Sequence, residues 1–122
     1  MPKKILIADD SLFMRKMLKD ILSKEEKYEI VEAESGAKTL AQYKEEKPDL
    51  VLLDIIMPEG EEEGLKVLQE IRKTNPNACV IMITAVGQDM IIEECKKLGA
   101  KDHIVKPFDD KHVIETIEKY LS

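Results

Sequence analysis

The chain has 122 residues, 43% apolar and 36% charged, with a formal net charge of −6. This length supports one compact domain, residues 1–122, with its own core, and the composition excludes a disordered tail, a collagen-like repeat or a disulfide scaffold. The negative charge disfavours nucleic acid and anionic lipid as partners, because either would need a basic patch to displace counterions.

Lys4 to Ala8 is a short apolar run that stops at Asp9 and Asp10, and Ser11 to Leu22 then sets Met14, Met17, Leu18, Ile21 and Leu22 on one helical face. Glu29 to Ala33 is a second strand, after which Ser35 can cap a helix carrying Ala37, Leu40 and Ala41 inward, ended by Pro48. Asp49 to Leu53 is apolar through most of its length, as a strand covered on both faces should be, and it leads to Asp54. A loop with Pro58, Gly60 and Gly64 precedes a helix with Leu65, Leu68 and Ile71 at helical spacing, closed by Asn75-Pro76. Ala78 to Ile83 is the fourth strand. Gln88 to Leu98 is a helix ended by Gly99, His103 to Val105 a fifth strand, and Val113, Ile114, Ile117 and Leu121 mark the last helix. The two cysteines, Cys79 and Cys95, have no C-x-x-C spacing and read as reduced structural thiols. No apolar run approaches the roughly 20 residues of a membrane span, and the start Met1-Pro2-Lys3-Lys4-Ile5-Leu6-Ile7 turns acidic too soon for a secretory signal. A cytoplasmic location without membrane contact is expected.

Five strand-then-helix units in strict alternation predict an α/β fold with a doubly wound, five-stranded parallel sheet. Ligands of such sheets sit beyond the carboxyl ends of the strands. Asp9 and Asp10 follow the first strand, Asp54 the third, Thr84 the fourth and Lys106 the fifth. Each has an ordinary reading by itself: a helix cap for the two acids, a surface lysine, a strand-end hydroxyl. Together they bring three carboxylates, a hydroxyl and an ammonium to one edge. Crowded carboxylates repel, and an all-oxygen ligand set without His or Cys suits Mg²⁺ better than zinc. With part of the charge neutralised, Asp54 can act as nucleophile toward phosphorus, Lys106 can balance the phosphoryl oxygens, and the Thr84 hydroxyl can sense the modification.

Ile7-Ala8-Asp9-Asp10-Ser11, Leu53-Asp54-Ile55-Ile56-Met57-Pro58, Thr84-Ala85 and Lys106-Pro107-Phe108 resemble the response regulator receiver domain, nearly end to end, and Ser11 to Leu18 is most like the stand-alone chemotaxis receivers. The resemblance implies a flavodoxin-like (βα)5 fold of strand order 2-1-3-4-5. It implies a two-component phosphoprotein, with a histidine kinase as donor, Asp54 as acceptor, and Mg²⁺ held by Asp10, Asp54 and the Ile56 backbone carbonyl, Asp9 acting from nearby. A cis Lys106–Pro107 bond and an output face built by the fourth helix, fifth strand and fifth helix are implied too. His103 takes the place of the aromatic that swings with the Thr84 hydroxyl. The loop Glu59 to Glu63 runs about two residues longer than the family pattern, so it is expected to sit differently.

No further domain is expected after the fifth helix, and output is therefore expected through protein contact: a flagellar motor switch protein or, for a relay, a histidine phosphotransferase, with a phosphatase to reset a monomeric switch. The protein would be no enzyme beyond its own phosphorylation and dephosphorylation. Ile56 and Val86 occupy positions that, in the family, govern access of the hydrolytic water; both are apolar, so slow self-dephosphorylation is expected. An aspartyl-nucleophile phosphohydrolase is the enzymatic alternative, but its second acid is replaced by Ile56. Nucleotide or flavin binding is disfavoured by the absence of G-x-G-x-x-G and G-x-x-x-x-G-K-[ST]. Glu61, Glu62 and Glu63 read as acids at a helix N-terminus; His112, the cysteines and Met14, Met17 and Met82 read as structural.

Overall fold

The computed structural model describes residues 2–121, so positions 1 and 122 of the expected domain lie outside the described residues. Five strands alternate with five helices: β1 Lys3–Ala8, α1 Leu12–Ser23, β2 Tyr28–Ala33, α2 Gly36–Glu46, β3 Leu50–Asp54, α3 Glu63–Thr74, β4 Val80–Ala85, α4 Asp89–Lys97, β5 Asp102–Lys106 and α5 Asp110–Leu121. All pairings are parallel, in the order β2-β1-β3-β4-β5. The expected flavodoxin-like doubly wound sheet is therefore observed. No described helix is long and apolar enough to cross a membrane.

Alternation along the strands divides the core in two. Ile5, Ile7, Leu50, Leu52, Ile81, Ile83 and Ile104 pack with Leu18, Ile21 and Leu22 of α1 and Val113 and Ile117 of α5. Leu6, Ala8, Val51, Leu53, Val80 and Met82 face the other way, onto Leu65, Leu68 and Ile71 of α3 and Cys95 of α4. Every residue of β3 is buried, because both neighbours and both helical layers cover it.

Local signals set the helix ends. Ser11 Oγ accepts from Met14 N–H at 3.2 Å and Ser35 Oγ from Lys38 N–H at 3.1 Å, so each serine caps its helix. Lys47 takes the left-handed conformation just before Pro48, where α2 stops, and the chain leaves α4 through Gly99 at φ +100. The Lys106–Pro107 bond is cis.

Two expectations need correction. The inward face of α2 is Gly36, Thr39, Leu40 and Tyr43, whereas Ala37 and Ala41 are exposed: the buried stripe begins one residue earlier, at the glycine packed against the acidic loop. β4 runs from Val80 to Ala85, two residues later than its apolar composition suggests. Ala78 still belongs to the turn out of α3, its N–H held by Asn75 O at 3.0 Å, and pairing with β5 continues to Ala85 opposite Lys106. Thr84 therefore lies within β4, not after it.

The N-terminus of α3 approaches the end of β3 so closely that Gly64 N–H donates to Ile55 O at 2.8 Å. A Cβ on Gly64 would lie 2.4 Å from the Asp54 carbonyl oxygen and 2.5 Å from Ile55 Cα, and backbone there cannot yield cheaply. Gly64→Ala is expected to lower the unfolding free energy by about 1–3 kcal/mol, read as a lower urea midpoint at unchanged slope. A midpoint equal to wild type would show that the loop has room to move.

Candidate functional site

After β2 the chain passes over β1 to form β3, so the strand order reverses between β1 and β3, and the carboxyl ends of these strands bound the crevice where ligands of such sheets collect. Asp9 follows β1 and Asp54 closes β3. One carboxylate oxygen from each of Asp9, Asp10 and Asp54 lies within 4.8 Å of the others. Asp9 is 2% exposed and Asp54 7%, while Asp10 is open to solvent. Lys106, the last residue of β5, brings its Nζ to 3.4 Å from Asp54 Oδ2 and 3.8 Å from Asp9 Oδ2. Thr84 is 1% exposed. The expected set of acids, ammonium and hydroxyl thus converges on one edge.

Burial of like charges shows in the acidities. Desolvation pushes the Asp9 carboxyl up to about 6; the Ser11 N–H and Lys106 oppose that rise, and the charges of Asp54 and Asp10 add to it. Asp54 is also raised, first by desolvation, against Lys106 and the backbone N–H groups of Ile55 and Ile56. Asp9 Oδ2 and Thr84 Oγ1 are buried with no hydrogen-bond partner, although such groups are normally satisfied. Three carboxylates, one of them with an oxygen that accepts no hydrogen bond, and a hydroxyl without a hydrogen bond fit a hard divalent cation and an anionic group bound to it.

Residues not singled out by sequence reasoning hold the loops in place. Arg15, one turn into α1, donates from Nη1 to the Asp9 carbonyl at 2.7 Å and from Nε to Glu32 Oε1 at 3.0 Å, and Ser11 N–H donates to Asp9 Oδ1 at 2.8 Å. The long acidic loop closes on itself at Met57 and Gly60, which exchange backbone bonds of 3.1 and 3.0 Å. From that turn Glu59 reaches α2, its two carboxylate oxygens each accepting at 3.0 Å from Gly36 and Ala37 N–H. These bonds hold the Glu59 carboxyl below its usual range and fill donors that every helix start leaves open. An acid three residues beyond the Ile56 position, facing a Ser-Gly helix start, was the available signal; its partner 23 positions away was not legible.

His103 stands opposite Met82, and Thr84 lies two residues past Met82 on the same strand, so both project to the α4 side of the sheet. His103 is half-buried, and its neighbour Asp102 accepts from Tyr120 Oη at 2.9 Å. Ile56, two residues past Asp54, and Val86, two past Thr84, are 48% and 77% exposed. Glu63 lies in the first turn of α3, as expected for acids near a helix start.

The family described as the response regulator receiver domain matches residues 5–118. The chemotaxis protein CheY of Thermotoga maritima is 48% identical over 120 residues, covering 98% of each chain. Sporulation initiation phosphotransferase F of Bacillus subtilis is 38% identical over 121 residues, 99% of this chain and 95% of that protein. Among solved structures, a CheX–CheY complex with BeF3 and Mg²⁺ from Borrelia burgdorferi matches with a TM-score of 0.91 at 35% identity, covering 100% of this chain and 91% of that one.

The weakened acidity of Asp9 makes stability depend on pH in one direction. Between the usual 3.8 and about 6 the folded protein binds more protons than the unfolded chain, so this group's contribution to stability falls as pH rises through that window. In metal-free buffer Asp9→Asn is expected to be more stable than wild type at pH 7.5, by on the order of 1–3 kcal/mol, the gap closing toward pH 4. Urea melts across that range check it, and a gap independent of pH would refute it.

Proposed function

The chain belongs to the response regulator receiver domain family, phosphoacceptor signalling modules of two-component systems, and we propose that Asp54 is its phosphoacceptor. The observation that carries this reading is the placement of Asp54. It is the nearly buried carboxylate that ends the central strand, with Lys106 Nζ at 3.4 Å and an orphaned Thr84 hydroxyl on the next strand.

In the proposed step an Asp54 carboxylate oxygen forms a bond to phosphorus while the bond from phosphorus to the donor's nitrogen breaks, the leaving imidazole keeping the electron pair. Lys106 balances charge on the phosphoryl oxygens, and Thr84 donates its hydroxyl hydrogen once such an oxygen is present. Asp9, Asp10, Asp54 and the Ile56 backbone carbonyl would hold Mg²⁺, which when bound supplies further positive charge to the transferring group. The modified site then stabilises an alternative arrangement of Thr84 and His103, whose shared side of the sheet supports a readout through α4, β5 and α5.

Residues 1–122 are taken as one cytoplasmic, monomeric receiver domain that turns over nothing but its own phosphoryl group. Chemotaxis follows from the likeness to CheY proteins, with a histidine kinase as donor, a flagellar motor switch protein as target and a phosphatase to reset the signal. The likeness to a sporulation phosphotransferase supports a second reading, a relay that passes the group to a histidine phosphotransferase. Neither reading calls for nucleic acid or membrane.

Incubation with acetyl phosphate is expected to add a single adduct of about 80 Da, the mass of HPO₃, that requires both Mg²⁺ and Asp54. Intact mass of wild type and Asp54→Asn, with Mg²⁺ or EDTA, decides it; an adduct that survives in the variant would place the acceptor elsewhere. Ile56 and Val86 offer no hydrogen bond to orient a water, so the phosphorylated protein is expected to persist for minutes or longer without a phosphatase. Decay of the adduct within seconds would overturn that expectation.

A further inference from the structure

Residues of β4 send their backbone polar groups to opposite neighbours in turn. The Cys79 carbonyl takes Val51 N–H on the β3 side, and the Val80 carbonyl takes Lys101 N–H on the β5 side. The odd series that begins at Cys79 runs through Ile81 and Ile83 to Ala85. Ile83 is the last residue of β4 with a β3 partner, which is Asp54. The next acceptor that β3 could have offered, the Ile55 carbonyl, is turned to Gly64 N–H. Ala85 N–H therefore emerges past the end of β3, on the Asp54 side, with no strand opposite it.

That N–H is held by Gln88 Oε1 at 2.6 Å. The chain can fold back over so few residues because Gly87 adopts φ +90. Gln88 is also the N-cap of α4: its carbonyl takes Ile92 N–H at 2.9 Å, but its side chain, engaged with Ala85, makes no cap bond. One side chain thus ties a donor beside Asp54 to the start of α4.

We propose that Gln88 is a latch, its amide oxygen occupying the Ala85 N–H until a phosphoryl oxygen on Asp54 takes that donor and frees the β4–α4 connection. The proposal rests on Asp54 being the phosphoacceptor. An anionic oxygen makes a shorter and stronger hydrogen bond than a neutral amide oxygen, so the exchange runs toward the modified site. The released glutamine can then turn to the open N–H groups of the first turn of α4. Phosphorylation and the seating of α4 become a competition for one hydrogen.

The test uses the full chain labelled with ¹⁵N, as wild type, Gln88→Ala and Gln88→Glu. In the unmodified protein the Ala85 amide should exchange roughly two- to tenfold faster in Gln88→Ala, the range set by one neutral hydrogen bond, while core amides such as Leu52 and Ile81 keep their rates. With acetyl phosphate and Mg²⁺, Gln88→Ala should acquire the adduct faster by a similar factor. Gln88→Glu should acquire it more slowly, because a carboxylate holds the amide harder and repels the incoming group. Unchanged Ala85 exchange in Gln88→Ala, or both variants shifting the adduct rate in the same direction, would overturn the latch. Failure of the parent reading is separately visible: wild type would gain no adduct that depends on Asp54, and displacement by a phosphoryl group would fall with it.

Discussion

Two nearly buried carboxylates and a third at the surface, within 4.8 Å of one another and served by one lysine, are a repulsive arrangement that the rest of the fold has to hold. Left to itself such a cluster would spread apart or take up protons, and the upward shift of the Asp9 carboxyl is a step toward the second response. What prevents the first is where the acids are attached. Asp54 ends a strand buried along its whole length, and Asp9 follows a strand whose last four residues are buried. Spreading would require the sheet to open between β1 and β3, where both apolar layers meet. The charge is held together by burial of hydrocarbon on either side of it.

The loops around the cluster are fixed by polar contacts. Arg15 grips the Asp9 carbonyl, Gly64 lies against the end of β3, and Glu59 ties the following loop to α2. None of these groups touches the centre of the cluster, yet each sets the position of a backbone segment that carries or follows one of its acids. A site made of strand ends has precision along the sheet; across the sheet it depends on such ties.

The strands were legible in the sequence because an uninterrupted apolar run ending at an acid, as at Leu50 to Asp54, has few other interpretations. From that periodicity followed the alternation, and from the alternation the convergence of Asp9, Asp54, Thr84 and Lys106. The face of α2 was misread because alanine is equally at home inside or outside a helix, and the residue that decided the matter was a glycine at its start. The limits of β4 slipped because Ala78 and Cys79 are as apolar as the strand they precede, while Thr84 and Ala85 look like its end. Arg15, Glu59 and Gln88 stayed invisible for another reason: each is an ordinary polar residue whose partner is a backbone group, and backbone groups leave no mark in a sequence.

A helix start is itself attractive to phosphate, since its first N–H groups point outward with partial positive charge. The start of α2 stands at the same edge of the sheet as Asp54, and there Glu59 has already taken the Gly36 and Ala37 N–H groups while Ser35 has taken that of Lys38. The chain has closed its own decoy. With Asp54 as the proposed acceptor, an arriving phosphoryl group would meet a negative charge at the helix and a positive one at Lys106, and the choice of landing place would be made before any bond to Asp54 begins to form.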